Sequence, residues 1–506
     1  MKTLLGLDIG STNIKAAIYD ENGRMLGMGT RPTPYRPDKD NSDWVMYEPA
    51  EIWDCARAVI KEAQSGVQKA EAIAVTGLGM DSVPVSKSGE VLYHFISWRC
   101  RRTEPQFSLL LDRHDPYWYF SRSGKQLVPF DTVNRIRWVK DEMPEFYEKA
   151  EKWLTIEDFV NWKLSGIMAT DFSMAHCTSL LDSAARDWSD ELLAASDLDR
   201  AKMPEIRPAG TVLGCVKPDI AAELGLKEGI PLVIGGHDYH CASLACNALT
   251  PEKLLISTGS FDCLTSTCTK AITSKEMCDA GMSCECHVAR DKYCLLATML
   301  SGAVLEWWKN NFETRNFEEG GWEKLMDAAA GAKDGLYFLP HVFGCVSPVA
   351  DQRSRGTFLG IHQLTTQADF LLALLEGLSF QLRWIIEKME IAVGGKYSEI
   401  IAVGGATRNK FWMQNKADIL GRDVNVPVDL DEAACLGAAL LAGIGSGVYS
   451  NDEDAASRTY KQGETYKPNA LKHEEYNKKY EIFRKIYPSV SDLNQHIADE
   501  QTNEVK

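Results

Sequence analysis

An acidic residue and a loop suited to phosphate lie close together near the middle of the chain. The apolar run at residues 231–234 ends in a pair of glycines, and Asp238 follows them. A second apolar run, at residues 254–256, ends in the sequence Ser-Thr-Gly-Ser at residues 257–260. Glycine lets a ligand approach the backbone, and hydroxyl and N–H groups at a strand end suit a phosphate. The alternative is that both are ordinary strand-to-helix turns, with Asp238 at a helix N-terminus.

Two further glycine loops follow apolar runs elsewhere in the sequence. One lies at residues 8–12, where Asp8 begins the sequence Asp-Ile-Gly-Ser-Thr, and the other lies at residues 404–409. A single loop of this kind is a weak signal. An acid beside one loop and phosphate-type groups in another predict one reaction centre between two halves of the chain.

Length and composition limit the class of protein. A chain of 506 residues is too long for one ordinary core, which predicts two large domains. The apolar fraction of 45% and the charged fraction of 25% are typical of a soluble globular protein. A net charge of −16 argues against an electrostatic nucleic-acid binder. The sequence has no signal-peptide pattern and no apolar run of about 18 residues, so we expect a cytoplasmic protein without a membrane partner.

The cysteines raise the question of a metal or redox site. The chain has 14 of them, spread as free thiols in a reducing compartment would be. Five lie between Cys263 and Cys286, and His287 follows the last. This cluster contains no C-x-x-C pair, the spacing on which zinc knuckles depend. The sequence therefore leaves open whether the cluster has a role.

The elements that would position these residues begin at the N-terminus. The pattern predicts strands at residues 3–8, 14–19 and 25–30, a helix from Pro49 and a returning strand at residues 72–75. Three antiparallel strands, a helix and a returning strand form the ribonuclease-H-like unit of actin-type ATPases. The same order begins again after Thr250, which predicts an α/β protein with two such units.

The predicted elements divide the chain into three parts. We expect an N-terminal domain at residues 1–247, a C-terminal domain at 248–450 and a helical tail at 451–506 packed on the body. Residues 102–180 read as mostly helical and rich in aromatics. The tail carries an apolar stripe, and we expect its order to be lost from Asp499 onward.

Over nearly its whole length, from Thr3 to about Tyr449, the chain resembles the FGGY carbohydrate kinases. The four glycine loops occur in that family's order. Residues 130–139 resemble its first signature, with Arg135 where lysine is usual, and residues 339–360 resemble its second, with Cys345-Val346 in place of the usual Glu-Arg. Residues 432–439 are also typical of the family.

The resemblance implies a fold and an activity. The fold would be two ribonuclease-H-like, actin-type ATPase domains with a cleft between them. The activity would be ATP-dependent phosphorylation of a terminal hydroxyl of a small sugar (a ketose) or a polyol, with Mg²⁺ as the metal. Relatives that are dimers imply a homodimer.

The resemblance also implies roles for individual residues. Asp238 would be the catalytic base, and Asp8 and Asp238 would hold the metal. An exposed strand lysine is the alternative for Lys15. The nucleotide would be bound by Ser11, Thr12, Asn13, Lys15, Thr258, Gly259, Ser260, Gly302, Gly404, Gly405, Ala406 and Asn409.

The acceptor pocket mixes features of several subfamilies. The Gly-Met-Asp-Ser run at residues 79–82 is similar to rhamnulose and fuculose kinases, whereas WRCRRT at 98–103 is similar to glycerol kinases. Asp81 is the expected hydroxyl acceptor. The implied pocket residues are Met80, Asp81, Trp98, Phe130, His237 and Asp238, with His94 as a further candidate.

Three rival functions stay open at this stage. An actin-type or chaperone-like ATPase that binds a protein partner would hydrolyse ATP without a small acceptor. A degenerate sugar sensor would lack turnover, although intact Asp8, Asp238 and Thr258 argue against it. The cysteine cluster would suit a metal or redox protein.

Overall fold

The computed structural model describes residues 2–41, 43–312, 321–332, 335–430 and 432–504. Two large β-sheets organise the chain, and we name them the N-terminal and C-terminal sheets. Within the described residues, no helix has both the length and the apolar character needed to span a bilayer.

The N-terminal sheet contains the predicted meander and the strand that leads to Asp238. Its first three strands in sequence pair antiparallel, and the first also pairs in parallel with Ala72–Gly77, which is parallel to Pro231–His237. Strand order across the sheet is Val212–Cys215, Pro231–His237, Ala72–Gly77, Thr3–Ile9, Asn13–Asp20 and Met25–Pro32. The helices around this sheet are Pro49–Ala63, Ile156–Ser165, Pro218–Leu224 and Asp238–Ala245.

The C-terminal sheet repeats this pattern, as the sequence predicts. Lys253–Thr258 pairs antiparallel with Phe261–Cys268 and in parallel with Glu399–Gly404. Strand order is Ser283–Cys286, Tyr293–Leu300, Phe261–Cys268, Lys253–Thr258, Glu399–Gly404, Val424–Val426 and Glu464–Tyr466. Its helices include Lys275–Asp279, Gly302–Phe312, Gly321–Ala330, Gln367–Val393, the 3₁₀ turn Gly405–Arg408, Lys410–Leu420 and Ala433–Gly445.

Shorter elements complete the fold. The remaining strands are Arg36–Pro37, Val45–Tyr47, Ser82–Ser86, Phe95–Ile96, Ala150–Thr155, Ala169–Thr170, Leu181–Asp182, Asp187–Trp188, Glu205–Ile206, Tyr337–Leu339 and Thr357–Leu359. The remaining helices are Glu104–Arg113, Pro116–Ser123, Thr132–Glu142, Pro144–Lys149, Phe172–Cys177, Asp190–Ala195, Arg200–Lys202, Asp452–Thr459 and Ala470–Glu504.

Helices Asp238–Ala245 and Ala433–Gly445 pack where the two sheets meet. Their buried side chains share one core with residues of both sheets, including Leu4 and Leu255. The second helix is apolar on nearly all sides because it is surrounded by protein. A Cβ added to Gly437 would lie 1.9 Å from the Cys241 carbonyl oxygen, so the two helices approach backbone to backbone.

The aromatic lobe at residues 102–180 crosses the predicted boundary between the domains. Trp138 and Trp153 belong to a core that also contains Leu264 and Leu295 of the C-terminal sheet. The Cys284 N–H donates to the Gly124 carbonyl at 2.7 Å. The lobe therefore joins the core of the second half through its edge strand.

The tail is more than a surface helix. Strand Glu464–Tyr466 pairs antiparallel with Val424–Val426 and becomes the edge of the C-terminal sheet, which the sequence pattern did not predict. The long helix packs Tyr480 and Phe483 against Phe380. It continues to Glu504, beyond the point at which we expected order to be lost.

Candidate active site

Asp238 lies where strand Pro231–His237 turns into helix Asp238–Ala245. Its side chain is 25% exposed, and the His237 Nδ1 atom is 3.2 Å from its Oδ1. The Ser173 hydroxyl accepts the His237 N–H at 2.9 Å and fixes the end of the strand. A carboxylate in the first turn of a helix is stabilised by the helix dipole. The carboxylate is therefore held in place and remains accessible.

The glycines before Asp238 serve protein packing. A Cβ on Gly235 would lie 1.7 Å from the Val75 carbonyl oxygen, and one on Gly236 would lie 2.4 Å from Val288. The pairing register with the neighbouring strand also shifts between Val233 and Gly236. Glycine is needed here because backbone and side chains of the protein itself come this close, which differs from our expectation of ligand approach.

Asp8 lies at the same edge of the N-terminal sheet. Asp8 pairs with Thr76, and Thr76 pairs with Gly236 on the next strand. The buried Oδ1 of Asp8 has no hydrogen-bond partner among the described residues. Burial, and then repulsion from Asp238, raises the pKa of Asp8 well above its usual range. Two repelling carboxylates with an unsatisfied oxygen fit a hard divalent cation.

Lys15 lies opposite Asp8 on the adjacent strand. Its Nζ is 2.6 Å from the Glu432 carboxylate, which belongs to the second half of the chain. Burial opposes the charge of Lys15, but hydrogen bonding and attraction to Glu432, together with attraction to Asp8, raise its pKa. The ammonium therefore stays charged beside Asp8. Ser11 and Thr12 lie in the turn between these strands and Asn13 begins the second strand, with Thr12 exposed.

The equivalent turn of the C-terminal sheet brings together two predicted loops, at residues 257–260 and 404–409, and Gly302. The Thr258 hydroxyl donates to the Val403 carbonyl at 2.9 Å and accepts the Ala406 N–H at 3.3 Å. The Gly302 N–H donates to the Gly259 carbonyl at 3.0 Å. Gly259 and Ser260 are exposed, so their backbone and hydroxyl groups are accessible.

The glycines of the last loop have different roles. Gly404 has a φ of +99°, and a Cβ there would lie 2.2 Å from the Thr258 carbonyl oxygen. In the part of the chain that the structure describes, a Cβ on Gly405 would meet nothing within 4 Å, so this surface is open. The Asn409 side chain caps helix Lys410–Leu420 by accepting the Trp412 N–H at 3.0 Å.

Asp81 is fully buried on the acceptor side. Its Oδ1 is 3.3 Å from Nη2 of Arg135, and neither carboxylate oxygen has a hydrogen-bond partner within the described part of the chain. Burial raises the pKa of Asp81 to about 6, although the Arg135 charge opposes the rise. An unsatisfied buried carboxylate is costly unless a ligand supplies donors.

The other predicted acceptor residues lie around this pair. The Met80 carbonyl accepts from Arg135 at 2.7 Å. The Trp98 and Phe130 rings are 6.2 Å apart and meet edge to face. A Cβ on Gly79 would lie 2.5 Å from the His237 ring, so this ring packs directly on the backbone before Met80.

Two residues of this region make contacts that the sequence did not predict. His94 contacts Arg102 at 3.2 Å and the Tyr93 ring, and its place in the pocket stays a prediction. Arg135, which the sequence marked only as a departure from a signature, contacts both Asp81 and the Met80 carbonyl. Its position in the first signature was the signal that could have identified it.

The cysteine cluster does not converge on one point with metal geometry. Cys268 and Cys284 have sulfur atoms 3.7 Å apart. A different buried group, His240, His287 and Cys294, brings its potential ligand atoms within 4.8 Å of one another. However, His287 Nδ1 accepts the Ala289 N–H at 2.8 Å, and burial keeps the His287 pKa well below its usual range.

That hydrogen bond decides what His287 offers. A neutral imidazole whose Nδ1 lone pair is engaged carries its proton on Nε2. Neither nitrogen of His287 then has a free lone pair for a metal. The metal hypothesis from the cysteine cluster gains no support from this arrangement.

Comparison with known proteins connects this geometry to a family. Residues 3–245 match the N-terminal domain of the FGGY family of carbohydrate kinases, and residues 259–446 match its C-terminal domain. L-fuculokinase of Escherichia coli (strain K12) is 30% identical over 474 residues, covering 92% of this chain and 97% of that protein. Xylulose kinase of Bacillus subtilis (strain 168) is 25% identical over 505 residues and covers 98% of each.

A solved structure agrees with the sequence relatives. Xylulose kinase from Rhodospirillum rubrum superposes with a TM-score of 0.88 at 25% identity, over 97% of this chain and 100% of that one. The predicted fold class is confirmed. Since both domain models match in order and the relatives align almost end to end, the chain belongs to the FGGY family of carbohydrate kinases.

Proposed function

We propose that this carbohydrate kinase phosphorylates a terminal hydroxyl of a small ketose or polyol, with Asp238 as the base. ATP with Mg²⁺ is the phosphoryl donor of the family. One observation carries the assignment of the site. Asp8 and Asp238 lie at the same edge of the N-terminal sheet, since Asp8 pairs with Thr76 and Thr76 pairs with Gly236. Lys15, at that edge, bonds to Glu432 of the second half of the chain at 2.6 Å.

The nucleotide is assigned to the loops of the C-terminal sheet. Support comes from the convergence of Thr258, Gly302 and Gly404 and from the open surface at Gly405. Small residues let a purine and phosphates lie against backbone N–H groups. From the N-terminal sheet, Ser11, Thr12 and Asn13 supply hydroxyl and backbone donors. Lys15 supplies a positive charge, and Glu432 fixes its direction.

Asp8 and Asp238 are the residues proposed to hold the metal. The fit rests on the unsatisfied Oδ1 of Asp8 and on the repulsion between the two carboxylates. When bound, Mg²⁺ would supply positive charge that neutralises the phosphate oxygens.

Asp238 would act by orientation as much as by basicity. A carboxylate is a weak base at neutral pH, but in a loose transition state the attacking hydroxyl keeps its proton until late. Holding that hydroxyl in line is then the main contribution, and proton transfer follows to the carboxylate. His237, whose Nδ1 faces Asp238, limits the orientations that the carboxylate can adopt.

The acceptor is assigned to the pocket around Asp81. The free oxygens of Asp81 would accept hydrogen bonds from two hydroxyls, and Arg135 would keep the carboxylate ionised. Trp98 and Phe130, whose rings meet edge to face at 6.2 Å, would cover the C–H side of the carbon chain. Met80 and His237 would close the pocket on the side towards Asp238. The relatives named for fuculose, xylulose and glycerol kinases support a ketose or polyol of this size.

An ADP-release assay coupled to NADH oxidation tests this proposal. Polyols, ketopentoses, deoxyketohexoses and aldonates would each be offered with ATP and Mg²⁺. We expect release that depends on one class of ketose or polyol, and we expect Asp238→Asn to lose about 10²–10⁴-fold in kcat while still binding ATP. Wild-type turnover in Asp238→Asn would overturn the role of Asp238. Equal ADP release without any acceptor would favour the ATPase alternative.

Assembly, partners and location remain predictions from the sequence. The net charge of −16 supports the expectation that nucleic acid is not a partner. Light scattering after size-exclusion chromatography tests the expected homodimer, and fractionation of cells tests the expected cytoplasmic location.

A further inference from the structure

A buried hydrogen bond links the helix that begins with Asp238 to the C-terminal sheet. His240 is fully buried in the first turn of helix Asp238–Ala245. Its Nε2 lies 3.4 Å from Oε2 of Glu285, which is 3% exposed on strand Ser283–Cys286. His240 donates and the Glu285 carboxylate accepts. The pair joins the helix that follows the N-terminal sheet to an edge strand of the C-terminal sheet, across 45 residues.

Strand Ser283–Cys286, which carries Glu285, is itself held in place by hydrogen bonds. Its outer edge is satisfied by the first half of the chain, because the Cys284 N–H donates to the Gly124 carbonyl at 2.7 Å. The Cys286 N–H donates to Nδ1 of the buried His176 at 3.1 Å. Gly124 itself packs closely, since a Cβ there would lie 2.5 Å from the Cys284 carbonyl oxygen. The strand that carries Glu285 is therefore anchored on both edges.

The His240–Glu285 bond adds a polar contact at the first helical turn, beyond the apolar packing of the helix against Ala433–Gly445. His237, one residue before Asp238, has Nδ1 3.2 Å from the Asp238 carboxylate and a ring centroid 5.5 Å from that of His240. The helix follows an irregular strand end and is only eight residues long. A rotation of its first turn would move Asp238 and His240 together.

We infer that Glu285 is a positioning residue, which holds His240 and thereby sets the direction in which Asp238 faces the acceptor. The inference rests on the proposed role of Asp238. It predicts that loss of the Glu285 carboxylate impairs turnover while both substrates still bind. The rate is sensitive to the position of a catalytic group, since a shift of about 1 Å can reduce it by about 10²-fold.

The test compares variants of the full-length enzyme with the acceptor found in the screen. We expect Glu285→Ala to lower kcat by about 10- to 100-fold, with KM for ATP and for the acceptor changed by less than about twofold. Glu285→Gln keeps an amide oxygen that accepts from His240, so kcat should stay within about threefold of wild type. Rescue by this variant separates positioning from a general loss of structure.

Two further variants of the enzyme complete the experiment. Glu390→Ala is the matched control, because Glu390 is equally buried and pairs with Arg422 in the C-terminal half. It should lower the thermal midpoint and leave kcat unchanged. If Glu285→Ala does not fold, the double variant His240→Leu/Glu285→Leu removes both polar partners at little cost in stability and should show the same fall in kcat.

The outcomes separate this inference from the proposed function. Wild-type kcat in Glu285→Ala or in the double variant, with Asp238→Asn inactive, would overturn the positioning role alone. A fall in kcat that Glu285→Gln does not rescue would also overturn it. Wild-type turnover in Asp238→Asn would instead overturn the role on which the inference rests.

Discussion

Gly437 is the position at which one added methyl group should displace Asp238, the proposed catalytic base, through the backbone of its helix. A Cβ at Gly437 would lie 1.9 Å from the Cys241 carbonyl oxygen, in the helix that begins with Asp238. An ordinary contact needs about 3.4 Å, so the helices must separate by about 1.5 Å. A shift of that size at a catalytic group reduces the rate by about 10²-fold. We therefore expect Gly437→Ala to lower kcat by about 10- to 100-fold.

The stability of Gly437→Ala follows from two opposing terms. Alanine in a helix interior is favoured over glycine by about 0.5–1 kcal/mol. Overpacking of a well-filled core costs about 1–3 kcal/mol. The free energy of unfolding should therefore fall by about 0–2.5 kcal/mol.

Chemical denaturation and steady-state kinetics measure the two effects separately. Gly395→Ala is the control, because a Cβ there would meet nothing within 4 Å. It should leave both kcat and stability within error of wild type. A Gly437→Ala enzyme with wild-type kcat would refute the reasoning, because it would mean that the helix contact does not transmit to Asp238.

Three further predictions concern individual side chains. Asp81→Asn should raise the acceptor KM by about 10- to 100-fold and leave the ATP KM within about twofold, because a charged hydrogen bond is worth about 1.5–3 kcal/mol. An unchanged acceptor KM in initial-rate measurements would place Asp81 outside the pocket. Lys15→Met should lower kcat/KM for ATP by about 10- to 100-fold, and nucleotide titrations would contradict a phosphate role if this ratio were unchanged. Burial raises the pKa of Asp158 to about 7, so the folded state holds a proton that the unfolded chain releases near pH 4. The stability that this proton contributes is therefore lost as the pH rises from about 4 to 7. In thermal melts, the midpoint of Asp158→Asn should fall less steeply over that pH range than the midpoint of wild type.

Much of the fold could be predicted because its signals are local. The meander at the N-terminus and its repeat after Thr250 follow from apolar runs punctuated by turn residues. The edge strand Glu464–Tyr466 escaped prediction because a three-residue strand has no periodicity of its own and is fixed only by its partner strand. The aromatic lobe was expected in the first domain, yet its core includes Leu264 of the second sheet.

The candidate site divides in the same way. Asp8, Asp238 and the loop at residues 257–260 could be found from sequence because each follows its own apolar strand, and parallel strand ends meet at one edge of a sheet. The partners of these residues could not. Lys15 pairs with Glu432 across 417 positions, and His240 pairs with Glu285 across 45. Such contacts depend on how strands and helices are brought together, which no local pattern records.

The sequence by itself determined the family, the two-unit architecture and the loops that carry the chemistry. Residue type and short-range order were sufficient for these, since a glycine turn after a strand behaves similarly wherever it occurs. Only the tertiary structure decided what the glycine pair at residues 235–236 packs against, which side chain lies beside Asp81 and which buried group His240 contacts. Those answers depend on distances between atoms from separate elements, and such distances are set by packing after the chain has folded.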